Sequence, residues 1–181
     1  MALKATICKT ELSISDMDRH LYETFSLTLA QHPSETIERI MVRLLAFALN
    51  AHPQLEFTKG LSADDEPDLW QKDYSGVIDL WIELGQPDER RLRKACSRAK
   101  QVIVYGYHGR NARIWWDGIQ SSCDRFDNLT VINLNGDAIK QLEKLYNRSM
   151  QLQATIQDGL VWLADEHHSI EISSEVWKAR A

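Results

Sequence analysis

The stretch from residue 77 to residue 107 most constrains what this chain can fold into. Residues 77–85 alternate in side-chain character as a strand does, residues 86–100 open with Gln-Pro-Asp-Glu and predict a helix, and residues 101–107 are strongly apolar. A strand, a helix and a second strand within about 30 residues form a βαβ unit, whose strands are parallel and whose crossover is right-handed. We therefore expect an α/β core.

Further elements are predicted before this core. Residues 3–15 and 21–31 alternate and predict a β-hairpin, whose first strand changes parity and so contains a bulge or an end that is buried on both faces. Residues 34–51 carry one apolar stripe at helical spacing, which begins after Ser34 as the N-cap. A short strand over residues 55–61 and an acidic loop over residues 62–68 follow.

The segment after the core is predicted to contain both helices and strands. We predict a helix over residues 112–122, a strand over 129–134 and a helix over 137–148. Two strands then flank the hairpin turn Asp158-Gly159, and residues 169–173 can add a third strand. The hairpins at the two chain ends are expected to form a second, antiparallel β layer beside the core.

Composition narrows the class of protein. The 181 residues are 44% hydrophobic and 26% charged, with no linker or repeat, so we expect a single domain over residues 1–181. Three cysteines without CxxC spacing argue against a disulfide framework and against a cysteine zinc site. No apolar run has the length of a membrane span, which together with the cysteine usage predicts a cytoplasmic protein without membrane contact.

The strand at residues 77–85 is the unusual element. Its expected faces are an aliphatic one, with Ile78, Leu80, Ile82 and Leu84, and a polar one, with Asp79, Trp81 and Glu83. Carboxylates on a core strand are costly unless they are paired, hydrogen-bonded or bound to metal. They either form a functional site, or they face solvent or make structural ion pairs with neighbouring arginines.

Several blocks of the sequence resemble the YaeQ family of bacterial proteins. Three of them surround the unusual strand: Asp65 to Trp70, Ile78 to Gly85 and Pro87 to Arg91. The others are the N-terminal Met1 to Ile7, the helix start His32 to Thr36, and the run Leu152 to Gly159. The resemblance implies a fold similar to that of PD-(D/E)XK nucleases, with a restriction-endonuclease-like mixed-sheet core and flanking helices.

The same resemblance implies a catalytic site that holds Mg²⁺, with Mn²⁺ as a substitute. Glu83 matches the second acid of the nuclease pattern, Asp79 is the next acid, and Glu38 is the acid on the preceding helix. Such sites use hard oxygen ligands for the metal and a lysine, two residues after the second acid, near the attacking water. Gly85 stands at that lysine position. Side chains that could reach in instead are Gln86, Arg90 and Lys94.

Geometry raises a question about this ligand set. Four residues along a strand span about 13 Å, whereas two ligand atoms on one Mg²⁺ lie within about 4 Å of each other. Asp79 and Glu83 can therefore share an ion only if a bulge lies between them. Otherwise the partner acid comes from another segment, and Asp68, in the pair Pro67-Asp68, is the candidate metal ligand.

Three functions remain open. The first is a Mg²⁺-dependent nuclease or phosphodiesterase acting on nucleic acid, which the acids on a core strand favour. The second is an inactive nuclease fold that binds nucleic acid or a protein partner in transcription or repair, which the missing lysine favours. The third is a small-molecule binder that uses the tryptophan-lined acidic face.

The cations of the helix after the unusual strand bear on the choice. Arg90, Arg91 and Lys94 can contact phosphates of a nucleic acid, although the net charge of −5 opposes such binding by the molecule as a whole. The alternative is a solvated helix face paired with Asp88 and Glu89.

Overall fold

The computed structural model describes residues 4–59 and 65–181. In these residues the helices are α1 (Ile37–Leu49), α2 (Glu89–Arg98), α3 (Arg110–Cys123) and α4 (Gly136–Gln141), and a short 3-10 helix over Leu142–Leu145 follows α4. The strands are β1 (Thr6–Asp16), β2 (Leu21–Gln31), β3 (Leu55–Phe57), β4 (Leu69–Lys72), β5 (Ile78–Leu84), β6 (Ala99–Gly106), β7 (Leu129–Leu134), β8 (Ser149–Gln157), β9 (Leu160–Ala164), β10 (Ser169–Ile172) and β11 (Ser174–Lys178).

These strands form two sheets. The central sheet has the order β11-β7-β6-β5-β4-β3, and the outer sheet has the order β10-β9-β8-β1-β2. In the central sheet β5, β6 and β7 are parallel, which confirms the βαβ unit expected from the sequence. The two terminal hairpins meet in the outer sheet through a parallel pair, β1 with β8. The second β layer is therefore mixed rather than antiparallel, because the two hairpins join side by side with these strands running in the same direction.

Helix α1 lies between the two sheets. Every residue from Ile40 to Ala48 is buried, although the sequence suggested a single apolar stripe. The core around this helix joins Leu12 of the outer sheet to Ile82 of the central sheet. Because both sheets cover this helix, its buried residues extend beyond the predicted apolar stripe and include Arg43. The opposite face of the central sheet packs on α2 and α3, through residues such as Trp81, Leu92 and Trp116.

The sequence raised the possibility of a β-bulge in two strands, β1 and β5, and only β5 contains one. Strand β1 pairs with β2 and β8 without a register shift, and Cys8, Leu12 and Ile14 point inward in regular alternation, so the predicted bulge is wrong. A bulge does lie in β5, where Lys72 pairs with Ile78 and Gln71 with Leu80. The extra residue, Asp79, moves Ile78 to the core on the α2 side and leaves Leu80 on the α1 side.

Some boundaries also differ from the sequence expectations. Helix α1 begins after Thr36, whose hydroxyl accepts from the backbone N–H of Arg39, and Ser34 lies in the preceding turn. The helix predicted over residues 137–148 ends as α4 and the 3-10 helix by Leu145. The strand predicted over residues 55–61 ends at Phe57 as β3, and residues 58 and 59 are not in a strand. Residues 60 and 61 of that prediction and residues 62–64 of the predicted acidic loop lie outside the described residues. Strands β4 and β11 were not predicted.

Candidate functional site

Two buried carboxylates meet where β4 begins and β5 ends. Asp68 lies directly before β4, whose Leu69 is paired with Ile82 of β5, so that Asp68 comes beside Glu83. The backbone N–H of Asp68 donates to the carbonyl of Ile82 at 3.0 Å. Asp68 is 4% exposed and Glu83 is 3% exposed. The structure thus brings together Asp68 and Glu83, the pair that the strand geometry favoured.

Asp68 is fully engaged in contacts that tie α1 to β5. Its Oδ1 accepts from Nη2 of Arg39 at 2.5 Å. Its Oδ2 accepts from the backbone N–H of Leu84 at 2.9 Å, inside the core. The carboxylate is therefore both the ion-pair partner of an arginine and the acceptor for a buried amide group.

Glu83 is held from the other side of the sheet. Its Oε1 accepts from Nε1 of Trp81 and from Nε of Arg91, each at 2.8 Å. Arg91 also donates from Nη2 to the carbonyl of Glu66 at 2.7 Å. One guanidinium thus joins α2 to β5 and to the segment before β4, and neutralises the buried carboxylate at the same time.

Burial raises the pKa of Glu83 above its ordinary value, because a buried carboxylate loses the water that stabilises its charge. The contacts with Arg91 lower the pKa, and the nearby charge of Asp68 raises it again. The net shift is upward. Glu83 therefore holds its proton to a higher pH in the folded protein than in the unfolded chain.

This upward shift predicts a pH dependence of stability. Above about pH 4.5 the unfolded chain has released the proton of Glu83 while the folded protein still binds it, so rising pH favours unfolding until the raised pKa is passed. The Glu83→Gln variant lacks this contribution. We expect the free energy of unfolding of the wild type, relative to that of Glu83→Gln, to fall in urea denaturation as the pH rises above about 4.5. Glu175→Gln, on β11, is the control, and a constant difference for Glu83→Gln would contradict the prediction.

A row of charges on and before α1 was missed by the sequence reasoning. Glu35, Arg39 and Arg43 are spaced four residues apart, and both arginines donate to the carboxylate of Glu35 at 3.1 Å. Arg43 is 1% exposed and also donates to the carbonyl of Ala30. The repeat of charge at four-residue intervals was visible in the sequence, but the spacing alone does not tell a buried network from a solvent-exposed helix face.

The structure does not bring Asp79 to Glu83. Asp79 lies at the bulge near the start of β5, where its carboxylate is 2.8 Å from Nζ of Lys100 on the neighbouring strand β6. Four residues of strand separate it from Glu83, which corresponds to about 13 Å. That separation is well above the roughly 4 Å between two ligand atoms on one metal ion, and the carboxylate of Asp79 is paired with Lys100 instead.

The remaining predicted site residues are also dispersed. Glu38 lies in a separate cavity, with Oε1 3.9 Å from Nε2 of His108. Gln86 is exposed in the turn after β5. Lys94 is exposed and forms an ion pair with Asp65. The cation that does reach Glu83 is Arg91, which the sequence reasoning assigned to phosphate binding.

The arrangement does not fit the Mg²⁺ site that the resemblance implies. Within residues 4–59 and 65–181, no group of three or more His, Cys, Asp or Glu side chains is placed to hold a metal ion. Asp68 and Glu83 already accept from Arg39 and Arg91, so that a cation between the two carboxylates would compete with both guanidinium groups. The Mg²⁺ and Mn²⁺ prediction therefore gains no support from these side chains.

Comparison with known proteins gives the family. The family model described as YaeQ protein matches residues 1–174. This chain belongs to the YaeQ family. Relatives in the family include proteins from Salmonella typhi, 50% identical, and from Escherichia coli strain K12, 49% identical, each over 178 residues and 98% of both chains. Both are named only as uncharacterized YaeQ proteins, so the names assign no activity.

Solved structures from the family have the same fold. The crystal structure of the YaeQ protein from Xanthomonas axonopodis pv. citri is 52% identical and superposes with a TM-score of 0.94 over 97% of this chain and 99% of that chain. The crystal structure of the YaeQ protein from Pseudomonas syringae is 34% identical, with a TM-score of 0.91 over 97% of each chain. The mixed α+β architecture with two sheets is thus shared within the family. In the part of this chain that the structure describes, no helix is both long enough and apolar enough to cross a bilayer.

Proposed function

We propose that this protein has a nuclease-like fold whose acidic site serves as a structural ion-pair network, and that it binds nucleic acid without cleaving it. The observation that carries this proposal is the pairing of Asp68 with Arg39 and of Glu83 with Arg91. Cleavage by the nuclease pattern needs these two acids as metal ligands, and here both are neutralised by guanidinium groups that are themselves held by other contacts.

The backbone at Gly85 supports the same conclusion. This residue stands where the nuclease pattern requires a lysine, and its φ of +96° lies in the region that favours glycine. Its N–H donates to the carbonyl of Tyr105 at 2.9 Å, which fixes the conformation at the end of β5. A lysine could occupy this position only with backbone strain, so the missing side chain and the local conformation are consistent with each other.

Helix α2 is the surface that we assign to binding. Its ten residues carry five cationic side chains and a single carboxylate, Glu89. Arg90 is exposed, and no carboxylate of the described residues lies within ion-pair distance of it. Lys94 and Arg98 contact Asp65 at the surface, where water and phosphate can compete for them. A basic helix of this kind favours the phosphate backbone locally despite the negative net charge.

The proposal predicts salt-dependent binding that depends on Arg90 and Lys94. Fluorescence anisotropy with a labelled DNA duplex and with a labelled RNA, between about 50 and about 200 mM salt, should show that affinity falls with salt. The Arg90→Gln/Lys94→Gln double variant should lower the slope of log affinity against log salt by about 2, because two phosphate contacts are lost.

The matched control is Lys144→Gln/Arg148→Gln, which removes the same charge from an exposed surface outside α2. It should retain the wild-type slope. Absence of binding at low salt, or equal slopes for the two double variants, would rule out this assignment of α2.

A second experiment addresses cleavage. Supercoiled plasmid incubated with the wild type and either Mg²⁺ or Mn²⁺ should remain intact. Nicking by the wild type that is abolished in Glu83→Gln would show that the arginines leave the acids on metal addition, and the protein would then be a nuclease.

A further inference from the structure

A cavity of about 600 Å³ opens at the carboxyl ends of β6 and β7. Glu38 of α1 lines it together with residues from the turns that follow these two strands, among them His108, Arg110, Asn135 and Lys140. Volumes of 300 to 1,000 Å³ are typical of small-molecule sites, and the carboxyl ends of parallel strands are where open α/β sheets bind ligands. The cavity is distinct from the basic surface of α2.

Two cations converge on this cavity without carboxylate partners. Arg110 is the first residue of α3 and Lys140 is in the last turn of α4, and both are exposed. In the described residues neither side chain has a carboxylate within ion-pair distance. Helix α3 begins after Gly109 with no side-chain cap and no acid in its first turn, so its amide groups add to the same positive field. The cavity thus offers binding groups for an anion.

Acceptor atoms lie in the same cavity. Asn133 lines the space, but its Oδ1 atom is enclosed by protein and is not accessible to a ligand. The carboxylates of Glu38 and Asp137 also line the space. These carboxylates accept hydrogen bonds from hydroxyl or amino groups, so the cavity suits a ligand that carries such donors beside its anionic group. A simple anion has no donor group and would make no favourable contact with these carboxylates.

The walls of the cavity are set by a close backbone contact. A Cβ atom at Gly136 would lie 3.1 Å from the backbone N of Gly109 and 3.1 Å from the carbonyl O of Tyr107. The turn after β6 therefore packs directly on the start of α4, and this close approach favours glycine at position 136. This contact holds the start of α3, with Arg110, in a fixed position relative to α4, with Lys140, before any ligand binds.

From these observations we infer that the cavity binds a phosphorylated small molecule that also carries hydroxyl or amino groups, of the size of a nucleoside monophosphate. The phosphate contacts Arg110, Lys140 and the first turn of α3, and the donor groups of the ligand contact the carboxylates of Glu38 and Asp137. The site does not depend on nucleic-acid binding by α2. The phosphate can come from a free nucleotide or from the phosphorylated end of a nucleic-acid strand, which present the same chemistry.

Isothermal titration with adenosine monophosphate, adenosine and inorganic phosphate tests this inference. The monophosphate should bind more tightly than either of its parts, and Arg110→Gln and Lys140→Gln should each weaken it about tenfold, as expected for the loss of one charge-assisted contact. Arg113→Gln is the control, because this arginine on the same helix pairs with Asp117 and does not line the cavity. The affinity of Arg113→Gln for adenosine monophosphate should match that of the wild type.

Amide resonances of the wild type provide a readout that does not depend on a variant. Adenosine monophosphate should shift the signals of Gly109, Arg110 and Gly136. Shifts confined to other parts of the chain, equal affinity for adenosine and its monophosphate, or unchanged affinity in both cavity variants would overturn the inference.

Oligonucleotides with and without a 5′-phosphate separate the two sources. A gain in affinity from the 5′-phosphate that is lost in Arg110→Gln but retained in Arg90→Gln/Lys94→Gln identifies a strand end as the ligand. Equal affinity of the two oligonucleotides, with tight binding of the monophosphate, identifies a free nucleotide.

Discussion

Replacing Glu35 with alanine is expected to lower the free energy of unfolding by about 3 to 5 kcal/mol, because the change leaves a buried guanidinium without its counter-charge. Glu35 accepts from both Arg39 and Arg43, and the side chain of Arg43 is 2% exposed. Arg43 lies on α1 between the two sheets, where water cannot replace the lost carboxylate. Urea denaturation of the wild type and the variant measures the effect.

Two further variants give this prediction its controls. Glu23→Ala removes an exposed glutamate from β2 and should change stability by less than about 0.5 kcal/mol. The double variant Glu35→Leu/Arg43→Met removes both partners and should be more stable than Glu35→Ala alone, since no buried charge is then left unpaired. A loss below about 1 kcal/mol in Glu35→Ala would show that Arg43 reaches water and that the network is not buried in solution.

Replacing Asp68 with alanine is expected to cost about 3 kcal/mol, because two different contacts are lost at once. One is the ion pair with Arg39, and the other is the hydrogen bond from the buried N–H of Leu84. Asp68→Asn keeps an oxygen acceptor for that N–H while it removes the charge. This variant should therefore lose less, about 1 to 2 kcal/mol.

The matched control for Asp68 is Asp117→Ala, which removes an exposed aspartate whose partner is Arg113 on the same helix. Pairs of this kind contribute about 0 to 1 kcal/mol. Denaturation by urea with all three aspartate variants gives the comparison. If Asp68→Ala and Asp68→Asn are equally stable, the hydrogen bond from the N–H of Leu84 contributes nothing. If either variant is more stable than the wild type, Asp68 is kept for function at a cost in stability.

These two predictions bear on the proposed function as well as on stability. Carboxylates retained for metal binding often destabilise a fold, whereas those in a structural network stabilise it when both partners are present. Large losses in Glu35→Ala and Asp68→Ala would support the structural role that we assign to the acids around α1. The pH dependence of the free energy of unfolding, compared between the wild type and Glu83→Gln, then isolates the contribution of Glu83, whose pKa is raised by burial.

The sequence by itself determined the family and most of the elements. The motif blocks around Asp65 to Trp70 and Ile78 to Gly85 identified the family that the comparisons confirm. The βαβ unit and the hairpins were readable because side-chain periodicity and turn residues such as Asp158-Gly159 are local signals. Strands β4 and β11 gave no such signal, since Leu69–Lys72 and Ser174–Lys178 do not alternate apolar and polar side chains.

The tertiary structure decided what the charged residues do. The spacing of Glu35, Arg39 and Arg43 is compatible with an exposed helix face, and it became a buried network only because the outer sheet covers α1. In the same way, Asp68 meets Glu83 through the pairing of β4 with β5, whereas Asp79, on the same strand as Glu83, does not. Contacts between residues far apart in the chain depend on how sheets and helices pack, and local periodicity does not contain that information.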